Sequence, residues 1–128
     1  MSDAELLAGF EDGTLPAFPH REHVRVAWLF VRRDGLPGAL TTFPDRLRAF
    51  ALAKGSPNLY HATITWAFLL LVGERLGDAR ETFDAFASRN PDLLAWNPSV
   101  LDRYYKNETL ASDRARALFL LPDRLFQP

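Results

Sequence analysis

The 128-residue chain carries 15 lysines and arginines against 16 acidic residues, a formal charge of −1, so it presents no electrostatic footprint for nucleic acid or for an anionic membrane surface. It has no cysteine, which excludes disulfides, thiolate metal sites and cysteine nucleophiles. Area scaling gives about 21,000 Å² for the unfolded chain and about 7,000 Å² for the folded one, enough burial for a single domain over residues 1–128 without staples.

At the N-terminus, MSDAELLAGFEDG is acidic and only briefly apolar, unlike a secretory leader. The longest apolar run, residues 66–72, is seven residues, far short of the roughly 18 a membrane span needs. A soluble, cytoplasmic protein without membrane contact is expected. Ser2 is placed to cap a first helix over residues 3–10, with Asp3 and Glu5 in the turn where the helix dipole favours acids. Gly13 ends it, and TLPAFP at 14–19 reads as an extended connector.

In HREHVRVAWLFVRR, residues 20–33, helical spacing sets His20, His23, Val24, Ala27, Trp28 and Val31 on one stripe, with Arg21, Arg25 and Arg32 on the other side. Asp34 and Gly35 stop this helix. Residues 37–54 have a second stripe, Leu40, Phe43, Leu47, Phe50 and Ala51, in phase through Pro44, where a kink or late start is expected. Gly55 is a natural C-terminal cap. Residues 60–76, YHATITWAFLLLVGERL, are apolar on nearly every side, the mark of a helix in the middle of a domain.

Further on, Asp78 and Glu81 have capping-box spacing for a helix to about Arg89. Asn90 and Pro91 break it. One turn is expected over 93–96, a helix from Asn97 and Pro98 through Tyr105, and a last one from Ser112 to about Leu120. No strand-like alternation is present. The expectation is an all-α bundle of about five to six helices.

The chain's three histidines are His20, His23 and His61. Two stand three residues apart on one helix and the third begins another, the pattern by which bundles hold an open divalent metal site for zinc, iron, nickel or manganese. The alternative is that all three are hydrogen-bonded structural residues of a non-catalytic, ligand-binding or protein-interaction module. No spacing supplies a fourth ligand. Glu11 is the nearest candidate, since Glu22 projects about 200° round the helix from His20. Thr65 lies one turn below His61 and could orient its ring, while Tyr60, Tyr104 and Tyr105 could line a pocket. Asp45, Asp102 and Asp123 each lie near an arginine, and surface pairing is expected. Trp28, Trp66 and Trp96 are expected in the core. No P-loop, dinucleotide or nucleophile-elbow pattern occurs, so no nucleotide or flavin is expected. A small molecule is the expected partner.

With FEDGTLPAFPHREHVRVAW at 10–28, YHATIT at 60–65 and the tail segments PDLL, YY, LASDRAR and FLLPD between 91 and 123, the chain resembles a group of small bacterial all-helical proteins sharing this layout. The group carries no established activity, so the resemblance implies the set His20, His23 and His61 and no reaction. Its members often place glutamate after the third histidine, where this sequence has Ala62.

Overall fold

The computed structural model describes residues 1–124, and residues 125–128 of the expected domain lie outside the described part. Its elements are all helical: α1 (Asp3–Glu11), α2 (His20–Ala53), a 3₁₀ turn (Pro57–Leu59), α3 (Ala62–Glu74), α4 (Phe83–Arg89), α5 (Pro91–Leu94), a second 3₁₀ turn (Val100–Arg103), α6 (Asn107–Leu110) and α7 (Asp113–Ala117). Among the described residues there is no sheet, only an isolated bridge between Trp96 and Ser99. None of the described helices is long and apolar enough to cross a membrane.

Ser2 caps α1 as its sequence predicts, taking the Glu5 N–H while the Glu5 carboxylate takes the Ser2 N–H. α2 consists of two helical arms that meet at Gly35, whose φ of 73° and ψ of 162° lie outside the helical region and in territory open to glycine. The turn therefore falls at Gly35. Pro44 lies within the second arm with helical geometry, so the helix does not start there. Phe10 of α1 fastens the arms together. Its ring lies 5.8 Å from Phe30 in the first arm, and 5.7 Å and 5.4 Å from Phe43 and Phe50 in the second. Buried aromatic pairs of this kind add about 0.5 to 1.5 kcal/mol each beyond area burial.

α3 packs along both the bend and the core. Its Leu69 and Val72 are fully buried, and Gly73 lets Leu36 approach so closely that a Cβ there would stand 2.8 Å from a Leu36 methyl. The helix is less central than its composition suggests, because Leu70 is exposed and Trp66 is only partly buried, stacked on Phe119 with centroids 5.4 Å apart.

Three boundaries differ from the sequence expectation. Thr82, rather than Asp78, caps α4. Arg32 reaches the carbonyls of Ala79 and Glu81, and the Glu81 carboxylate is taken up by Arg89 at 2.6 Å and 2.7 Å, so 78–81 is a pinned turn. Residues 98–105 give a 3₁₀ turn, capped by Ser99 and preceded by a cis Asn97–Pro98 bond. α7 stops at Ala117. Beyond it Thr63, with no exposed surface, donates its hydroxyl to the Leu118 carbonyl at 2.7 Å and accepts the Leu120 N–H at 3.1 Å. The Tyr105 hydroxyl donates to the Leu120 carbonyl at 2.7 Å. These backbone groups pair with side chains of other elements, which removes the need for another helical turn.

Candidate functional site: a histidine-lined cavity

Helix spacing on α2 and the start of α3 bring all three histidines to one cavity of about 500 Å³, within the range of small-ligand sites, about 300 to 1,000 Å³. The two arms of α2 contribute Val24, Ala27, Phe43, Leu47 and Phe50, and the connector before α2 contributes Phe18. Opposite them stand Ile64, Thr65 and Phe68 of α3. Trp96, Asn58, Leu59 and Arg116 complete the rim, and no aspartate or glutamate lines the space.

His61 is the N-cap of α3. Its Nδ1 accepts the Ile64 N–H at 3.1 Å, so that nitrogen carries no proton, and the proton on Nε2 is donated to the Leu110 carbonyl at 2.7 Å. Both ring nitrogens are thus engaged. Burial lowers its pKa, and the Arg116 guanidinium adds to that, against the opposing pull of the Leu110 carbonyl. His20 donates Nε2–H to the Leu93 carbonyl at 2.8 Å and lies between Phe68 and Trp96, with centroids at 5.2 Å and 4.8 Å. Burial lowers its pKa too.

His23 is different. Its ring packs 4.6 Å from Phe18 and 6.1 Å from Phe43, and burial, with a smaller contribution from His20, pushes its pKa down to about 4. No side chain or backbone group of the described residues hydrogen-bonds it, so a neutral imidazole with one donor and one acceptor borders an apolar space.

The arrangement of donors bears on the metal expectation. A neutral imidazole offers a metal one lone pair, and the lone pair of His61 is spent on the Ile64 N–H. Among the described residues no group of three or more histidine, aspartate or glutamate side chains is arranged to hold a metal ion. Glu11 is drawn away to Arg33 at 2.9 Å and Glu22 pairs with Arg25 at 3.8 Å. The three histidines line one cavity, with both ring nitrogens of His61 in hydrogen bonds.

Other candidates also move. Thr65 lines the cavity, whereas Thr63 anchors the tail. None of Tyr60, Tyr104 and Tyr105 lines it; Tyr60 lies under Arg48, 4.5 Å from the ring centre, and burial pushes Tyr105 up to about 12. Of the aspartates, Asp45 pairs with Arg48 at 3.1 Å. Asp123 instead takes the Lys106 N–H and the Thr109 hydroxyl, and Arg124 meets Asp102 only through its backbone carbonyl. Trp28 is buried as expected, but Trp96 is 52% exposed at the rim. Sequence reasoning missed Phe18, Asn58, Trp96 and Arg116 as site residues. They sit in connectors, a short turn and a short helix, where no periodicity marks a face.

Fold and site together define the class: an all-α protein with an aromatic and histidine-lined cavity between α2 and the start of α3. No family model, curated protein or solved structure matches the chain.

Proposed function

We propose that this protein binds a small, largely apolar organic molecule in the cavity, with the His23 imidazole supplying a polar contact. The observation that carries this reading is His23, a half-buried ring on the wall of an apolar cavity to which none of the described residues hydrogen-bonds. A ligand that hydrogen-bonds this ring gains about 0.5 to 1.5 kcal/mol from the contact. Phe18, Phe43, Phe50 and Phe68 supply the apolar walls, and the few polar groups among them fix orientation, the usual division of labour in ligand sites. The fixed tautomers of His20 and His61 hold the frame; they do not take part in ligand exchange.

Fluorescence of the neutral probe N-phenyl-1-naphthylamine tests the proposal. Saturable, one-to-one enhancement is expected, abolished by Thr65→Phe, which fills the space, while circular dichroism shows the variant still helical. Absence of saturable binding, or enhancement unchanged in a folded Thr65→Phe protein, would overturn it.

A further inference from the structure

Given that the cavity is a ligand site, we infer that its ligand is an amphipathic organic acid whose carboxylate sits at the rim beside Arg116. The charge distribution makes the case. Arg116 lines the cavity and is exposed at its edge, with Nη1 on the Asn58 carbonyl at 2.5 Å. No aspartate or glutamate among the described residues pairs with Arg116, and among the described arginines it is the one that lines the cavity. Among the described residues no aspartate or glutamate lines the cavity to offset it.

Two helix N-termini also lie here. His20 opens α2, whose N-cap Pro19 offers no side-chain acceptor, and His61 caps α3. The positive ends of both helices border the cavity, as does the C-terminal last turn of α2 through Phe50 and Ala51, so Arg116 carries the preference for an anion. The neutral imidazoles contribute no charge of their own, so a ligand with one acidic group and an apolar body matches the site, whereas a cation meets the like charge of Arg116. An arginine forms charge-assisted, often bidentate bonds with a carboxylate, and the phenylalanine walls accept the alkyl or aryl remainder.

Calorimetric titration with decanoate, decanamide and decylamine at neutral pH tests the inference, with Arg116→Gln and, as a control, Arg114→Gln, which lies on the same helix outside the cavity lining. Decanoate is expected to bind about tenfold or more tighter than decanamide, with decylamine weakest, in line with a charge-assisted bond of about 1.5 to 3 kcal/mol. Arg116→Gln should erase the acid's advantage and leave decanamide unchanged, and Arg114→Gln should leave the preference intact. Equal binding of acid and amide, or a preference that survives Arg116→Gln, would overturn the inference. Binding of N-phenyl-1-naphthylamine without any binding of decanoate would overturn it too, while leaving the cavity itself standing as a ligand site.

Discussion

An imidazole that titrates near 6.5 in the unfolded chain and at about 4 in the fold links stability to acid. Between those values the unfolded state holds the proton and the native state does not, so stability rises with pH across the window. The contribution of His23 is complete above about pH 6.5, is lost as pH falls toward 4, and amounts to about 3 kcal/mol by the energy of one pKa unit. His20 and His61 are shifted in the same direction and steepen the decline. Urea midpoints measured from pH 7.5 to 4.5 should fall markedly in the parent and less in His23→Leu; equal slopes would show that His23 is hydrated in the fold. Thr63 acts at the same scale. Thr63→Val strands the Leu118 carbonyl and the Leu120 N–H and should cost about 1 to 3 kcal/mol, read as a lower thermal midpoint.

Among the elements, the arms of α2 depend on one backbone conformation. Gly35→Ala places a side chain at φ 73°, ψ 162°, a region that is essentially glycine-only, and should destabilise by about 1 to 3 kcal/mol in chemical unfolding. A loss below half a kcal/mol would mean that the bend relaxes into a continuous helix. Both stripes of α2 and the apolar α3 were legible in the sequence because helical period and burial coincide there: Val24, Ala27, Trp28, Phe43, Leu47 and Phe50 are all buried. Residues 78–81 and 118–120 were not legible. Their conformation is decided by Arg32 and Thr63, 47 and 55 residues distant at closest, and local propensity carries no record of such partners. Asp78 and Glu81 look like a capping box until Arg32 and Arg89 are in place.

At the scale of the molecule, α1, the α2 arms and α3 share one core, with Arg75, the C-cap of α3, tied to Asp92 at 2.6 Å and Asp92 to Arg103 at 3.2 Å. Leu69, fully buried at the centre of α3, should cost about 2 to 5 kcal/mol on truncation to alanine. The cavity is the place where this packing is left open. Histidine spacing on a helical stripe made three of its residues visible in advance. What that spacing could not reveal is what each nitrogen does, because the Leu93 and Leu110 carbonyls that engage His20 and His61 lie 73 and 49 residues along the chain.

The state of those ring nitrogens is also where the account is most directly measured, by ¹⁵N-resolved spectra of histidine-labelled protein at pH 7.5. Three neutral rings are predicted, with His20 and His61 in the Nε2–H form. Adding N-phenyl-1-naphthylamine should shift His23 most, and stoichiometric zinc should leave His61 in the same tautomer and hydrogen bonds. A ring of His61 that gives up Nδ1 or Nε2 to zinc, or a His23 signal indifferent to the probe, would contradict the reading of this cavity as a site for an organic ligand.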